Sequence, residues 1–183
     1  MKTALHYSHD LLKEVIKPND IVVDATMGNG KDTLFLARLS RNVHAFDIQE
    51  MALTNTSQKL KEARLNANLH LEGHQHVGKY LNNNLKAAIF NLGYLPNSDK
   101  SIITIPDNTI RAIEAMMKHL LPTGRIVIVV YSGHLEGIIE KDILLEYVAK
   151  IPQEQFQVLN YQFINQRNNP PILLCIEKRR PLK

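Results

Sequence analysis

VVDATMGNGKDT, Val22 to Thr33, is the stretch that decides the fold. Ile21 to Asp24 is a short apolar run ending in an acid, which predicts a buried strand. The glycine loop after it feeds a helix predicted to begin near Asp32. Gly28 and Gly30 allow backbone torsions, and a close approach of backbone to a ligand, that a β-carbon would block. A strand passing through such a turn into a helix opens a βαβ unit. In a doubly wound sheet, ligands bind at the carboxyl ends of strands placed like this one.

Short apolar runs alternate with helical patterns on both sides of the loop, the order expected of a parallel sheet. Upstream, a helix is predicted from near Ser8, with Leu11, Leu12, Val15 and Ile16 on one side and Pro18 as its stop. Downstream, Val43 to Phe46 reads as the second strand, followed by a helix from about Glu50 to Arg64. Leu69 and Leu71 mark a short third strand, and Ala87 to Phe90 the fourth. A polar stretch, Asn91 to Ile105, precedes a helix opening at Pro106, a residue suited to a first helical turn. Leu120 to Gly124 is a helix stop and turn. Arg125 to Tyr131 (RIVIVVY) is the clearest strand, with a helix from Leu135 to about Ile151 after it. Phe156 to Ile164 and Ile172 to Glu177 are two strands joined by a short loop, so they pair antiparallel.

Three loops at predicted strand ends carry the chemistry. In the first, Asp24 offers an ionised acceptor and Lys31-Asp32-Thr33 opens the helix. A carboxylate at a helix start would compete with a phosphate, which argues against a dinucleotide's pyrophosphate. It suits a zwitterion with an ammonium group, such as the methionine part of S-adenosyl-L-methionine; the alternative is a tight turn without a ligand. Asp47 ends the second strand 17 positions after Gly30, near the roughly 20-residue spacing of a ribose-binding acid. It can accept both ribose hydroxyls, the alternative being a helix N-cap. Ile48 and Gln49 would then flank the adenine, with His74 or Gln75 bordering it. In the third, IFNLGYLP (Ile89 to Pro96), the side-chain oxygen of Asn91 and the backbone carbonyl of Leu92 can hold an amine by its hydrogens, and Tyr94 can stack on a base. The alternative there is an Asn-Gly-containing turn.

Five strand-helix units closed by a hairpin resemble the Rossmann-like methyltransferases: α/β, a seven-stranded, mostly parallel sheet with an antiparallel last strand and helices on both faces. The pattern D-x-G-x-G-x-G of that group is matched at Asp24, Gly28 and Gly30, with Thr26 in place of the first glycine and Met27 and Asn29 between them. Asn91, Leu92, Gly93 and Tyr94 look like the [DN]-P-P-Y motif of amino-group methyltransferases, without its prolines. DATMGNGKDT, AFDIQ, NLGYLP, YSGH and NQRNNPP together resemble one small bacterial group labelled rRNA methylases, whose members act as tRNA 5-aminomethyl-2-thiouridine methyltransferases. The resemblance implies S-adenosyl-L-methionine as cofactor and the anticodon region of a tRNA as partner. It also brings His134 (helix cap or substrate contact) and Arg167 with Asn168 (RNA contact or solvated hairpin tip) toward the substrate.

The bulk properties fit this reading without choosing it. The 183 residues carry 22 basic and 18 acidic side chains, a formal charge of +4 that favours a polyanionic partner only weakly. The lone Cys175 excludes an internal disulfide. His6, His9, His70 and His76 make no metal set with His74, so no metal is expected. No apolar run has the length of a membrane span, which points to a cytoplasmic protein. One domain, 1–183, accommodates everything read above, and the oligomeric state stays open, a homodimer included. A methyltransferase for rRNA, a protein or a small-molecule amine, and a catalytically silent nucleotide-binding module, remain as alternatives.

Overall fold

The central strands are apolar on successive residues because both faces of the sheet they form are covered. The computed structural model describes residues 1–93, 106–133 and 135–181. Its elements, in chain order, are α1 (Ala4–Lys13), β1 (Ile21–Asp24), α2 (Lys31–Ala37), β2 (Asn42–Asp47), α3 (Glu50–Ala63), β3 (Asn68–Leu71), a 3-10 helix (His74–Tyr80), β4 (Leu85–Leu92), α4 (Pro106–His119), β5 (Leu120–Val130), α5 (Leu135–Val148), β6 (Phe156–Tyr161) and β7 (Ile172–Lys178). The seven strands form one sheet in the order β3-β2-β1-β4-β5-β7-β6. β1 to β5 pair in parallel, and β7 runs antiparallel to both β5 and β6.

Alternation along the strands sends side chains into two cores. Val22, Ala87, Ile89, Val127, Val129, Leu173 and Cys175 pack with Leu11 and Leu12 of α1 and Leu36 of α2. Their neighbours Val23, Ala88, Phe90, Ile126, Ile128, Leu174 and Ile176 face Val77 of the 3-10 helix, Ile113 and Met116 of α4 and Leu144 of α5. Arg125, at the start of the parallel part of β5, ties α1 to this sheet. It donates to the Leu11 carbonyl (2.7 Å), to Glu14 (2.6 Å) and to Glu177 of β7 (2.6 Å).

The strand order reverses between β1 and β4, so a crevice opens there beyond their carboxyl ends. Several boundaries differ from the sequence reading, each for a local reason. α1 starts at Ala4 because Thr3 caps it, accepting from the His6 amide at 3.3 Å. β4 runs on through Asn91 and Leu92, because β5 continues to pair with it as far as Val130. Those two residues therefore lie in the strand and not in a loop after it. The Leu120–Gly124 turn sits within β5: Thr123 takes φ +61° there, and a β-carbon on Gly124 would stand 2.8 Å from the Leu121 and Lys86 carbonyls.

Candidate active site

The loop after β1 is braced by its own side chains. Asp24 accepts from the Thr26 amide (3.1 Å) and from the Thr33 hydroxyl (2.6 Å), and it has no exposed surface. Asp24 was expected to present an ionised acceptor to a ligand; here its oxygens hold the loop's two ends together. Burial, followed by the nearby charge of Asp32, pushes its carboxyl up to about 7. Thr26 faces β4 and accepts from the Asn91 amide at 2.8 Å. Met27 is buried, its amide bonded to the Phe46 carbonyl at 2.9 Å. Gly28 takes φ +49°, and Gly30, at φ +76°, precedes the first residue of α2. A side chain at Gly30 would also meet Thr56 of α3, 2.6 Å from where its β-carbon would lie. Lys59 of α3 secures the bend by donating to the Asn29 carbonyl (2.6 Å).

Asp47 closes β2 beside this bend. Its carboxylate accepts from the amides of Gly28 (2.9 Å) and Gln49 (3.0 Å), one per oxygen, so each keeps acceptor capacity. The N-cap of α3 is Gln49, so Asp47 does not serve as the cap. Ile48 next to it is 59% exposed, a large apolar side chain standing in solvent at the crevice, with Gln49 half-buried. Across from them the 3-10 helix brings in His74. Its Nδ1 faces the Ala25 carbonyl at 3.0 Å and must carry the proton, which leaves Nε2 a bare acceptor. That Nε2 is buried with no hydrogen-bond partner. Burial lowers the His74 pKa, so the ring stays neutral. Gln75 folds back over Gly73, where its amide would collide with any β-carbon.

A buried acceptor without a donor costs stability unless something binds to it. An acid with spare lone pairs, an exposed isoleucine and an orphaned imidazole nitrogen are the groups a nucleoside would use: for ribose hydroxyls, an apolar base face and an exocyclic amino group. Asp47, Ile48 and His74 fit the adenosine part of S-adenosyl-L-methionine on these grounds.

Asn91 stands near the carboxyl end of β4. Its amide nitrogen donates to Asp32 at 3.1 Å, and the other oxygen of Asp32 accepts from Nε2 of His9 at 2.7 Å. Asp32 is thus bonded by a protein group on each oxygen and is 6% exposed; it was expected to face an ammonium group. The His9 ring is stacked on Phe35 of α2, centroids 3.9 Å apart. Sequence reasoning missed His9. The one signal was its place on the stripe Leu5, His9, Leu12, Ile16, where a polar residue lies among inward-facing ones. Leu92 is buried, and its carbonyl already accepts a long bond from Tyr131 (3.3 Å), so one lone pair remains for a ligand. Gly93 is exposed, with the Tyr131 ring beside it. Arg167 and Asn168 lie exposed in the β6–β7 loop, Asn168 at φ +65°. β6 runs the same way as β5, so this loop leaves the sheet on the crevice side. Tyr94 and His134 lie outside the described residues. Among the described residues no three His, Cys, Asp or Glu side chains are grouped to hold a metal ion, and no helix is long and apolar enough to cross a membrane.

The model of the family described as "Putative rRNA methylase" matches residues 43–177. The chain belongs to this family. Relatives agree along nearly its whole length. A tRNA (mnm5s2U34)-methyltransferase of Arabidopsis thaliana, described as chloroplastic, is 34% identical over 97% of this chain and 70% of its own. The crystal structure of a Streptococcus mutans protein described as a "putative methyltransferase", in complex with S-adenosylhomocysteine, superposes with a TM-score of 0.91 at 46% identity, covering 97% of this chain and 99% of that one. A protein from Clostridium thermocellum described as a "putative rRNA-methylase" reaches 0.94 at 46% identity, over 97% and 98%. The fold and the family are those of S-adenosylmethionine-dependent methyltransferases, and this member is a methyltransferase.

Proposed function

We propose that this family member transfers a methyl group from S-adenosyl-L-methionine to the exocyclic amine of 5-aminomethyl-2-thiouridine at the wobble position of tRNA. The observation that carries the reading is the orientation of Asn91. With its Nδ2 held by Asp32, its Oδ1 is the end left to accept a hydrogen from an incoming amine. The name of the Arabidopsis relative, a methyltransferase of the same nucleoside class, supports the substrate.

When bound, the cofactor supplies an activated methyl on a sulfonium leaving group, so the chain's share is positioning. Asp47, Ile48 and His74 hold the nucleoside, while the bend at Gly28 and Gly30 brings backbone close to it. Asn91 Oδ1 and the spare lone pair of the Leu92 carbonyl take two hydrogens of the neutral amine and aim its lone pair into the crevice. Tyr94, His134, Arg167 and Asn168 are assigned to the RNA, where an anticodon base is already unpaired and incurs little flipping cost. Among the described residues no side chain is placed as a base for the amine. The proposal includes a cytoplasmic location and a single catalytic domain, and leaves a homodimer compatible with it.

Nucleoside mass spectrometry on tRNA from cells with and without the protein tests the substrate: loss of the methylaminomethyl nucleoside with accumulation of its aminomethyl precursor is expected. Methyl transfer into rRNA alone, the substrate in the family's name, would redirect the reading. For the division of roles, Asp47→Ala is expected to abolish S-adenosylhomocysteine binding in calorimetry. Asn91→Ala should bind it normally and lose about 100-fold in turnover.

A further inference from the structure

We propose that His9 is a positioning residue for methyl transfer: by clamping Asp32 it fixes which end of the Asn91 amide faces the acceptor amine. The inference rests on the reading of Asn91 given above and adds a residue from α1 to it.

An asparagine amide presents a donor at one end and an acceptor at the other, and the two ends are nearly the same shape. Holding an amine by its hydrogens needs the acceptor end outward. An ionised carboxylate can only accept, so Asp32 beside the amide forces Nδ2 inward and Oδ1 outward. That selection holds only while the Asp32 carboxylate stays in place.

Asp32 is 6% exposed. A carboxylate left to turn about its own axis could carry its oxygen away from Nδ2, and the Asn91 amide could then turn its oxygen inward.

His9 counters this. Its Nε2–H donates to the oxygen of Asp32 that Asn91 does not use, at 2.7 Å, which satisfies the carboxylate and prevents its rotation. The ring is held by stacking on Phe35, the planes 7° apart, and its side chain is only 20% exposed. The chain His9–Asp32–Asn91 therefore runs from α1 through the start of α2 to the tip of β4, three elements whose relative placement the two hydrogen bonds record.

The test compares His9→Phe, which keeps a flat ring against Phe35 and loses the donor, with His9→Gln, which restores an N–H at similar reach. Turnover on tRNA from cells lacking the protein is expected to fall about 10- to 100-fold in His9→Phe and to recover to within about 3-fold in His9→Gln, a misplacement effect. S-adenosylhomocysteine affinity should stay within about 3-fold in both. The Asn91 side-chain amide resonances, identified by their absence from Asn91→Asp, should shift in His9→Phe and return in His9→Gln. This NMR readout needs no substrate, so it stands even if the wild-type protein methylates no tRNA, a result that would remove the proposed function instead. Unmoved amide resonances, unchanged turnover, or no rescue by Gln would overturn the proposal. So would a loss of cofactor affinity of about 10-fold or more in His9→Phe, which would assign the clamp to the cofactor. His9→Asn, whose shorter amide falls short of Asp32, takes the place of His9→Phe if that variant does not fold.

Discussion

Glu140 of α5 is the residue whose environment fits it least. It is 6% exposed, its Oε1 has no hydrogen-bond partner, and burial pushes its carboxyl up from 4.5 to about 7. Between those values the folded protein holds a proton that the unfolded chain has released. The residue therefore costs nothing below about pH 4.5, and its cost grows as pH rises through 7. A shift of this size corresponds to about 3 kcal/mol at pH 8. Glu140→Gln should raise stability at pH 8 by about 1–3 kcal/mol, a Tm increase of several degrees, and change it little at pH 5. Equal shifts at both pH values in a thermal melt would show that Glu140 is not buried as an unpaired acid. Nothing in EGIIEKDILLEYV marks this glutamate apart from its neighbours; which one turns inward depends on how α5 rolls against β5 and α4.

Among the elements, α1 is the one whose docking decides the site, because it delivers His9. Apolar contacts of Leu11 and Leu12 seat it on the sheet, and Arg125 fixes its last turn through the Leu11 carbonyl and Glu14. Arg125 also pairs with Glu177, both side chains less than one-fifth exposed. Arg125→Leu leaves Glu177 with only the Gln157 amide, at 2.8 Å, and frees the end of α1. A destabilisation of about 2–4 kcal/mol is expected, with faster hydrogen exchange in Ala4–Lys13 than in β1 or β4. Uniform exchange across all elements would contradict a local role. The elements themselves were largely legible: Ile21–Asp24 emerges with its expected bounds, because a β-branched run between turn residues leaves little choice. The limits of β4 were not, since Asn91 and Leu92 are strand residues only by virtue of pairing with β5.

At the scale of the whole molecule, one ligand should couple the two halves of the crevice. The candidate nucleoside site takes Asp47 from β2, the bend between β1 and α2, and His74 from the 3-10 helix, so its occupant binds the folded chain and not the unfolded one. At S-adenosylhomocysteine concentrations of about 100 times Kd the added stability is about 2.7 kcal/mol. For a chain of this size that is a Tm rise of about 5–10 °C. Asp47→Ala should melt without this rise, and NAD should not produce it in the wild type; a shift with NAD alone would replace the methyltransferase reading with a dinucleotide one.

Local spacing was enough for the order of strands and helices, the antiparallel closing hairpin, the bend at Gly28 and Gly30 and the placing of Asp47 at a strand tip. Periodicity, turn chemistry and short loops are properties of neighbours along the chain. The burial of Asp24, the orphaned nitrogen of His74 and the clamp of His9 on Asp32 were settled by folding. They join residues 9 to 59 positions apart, and no sequence period spans such distances. Only the stacking of helices on a twisted sheet brings those atoms within 3 Å or so, and with them the polarity of the amide on which the chemistry depends.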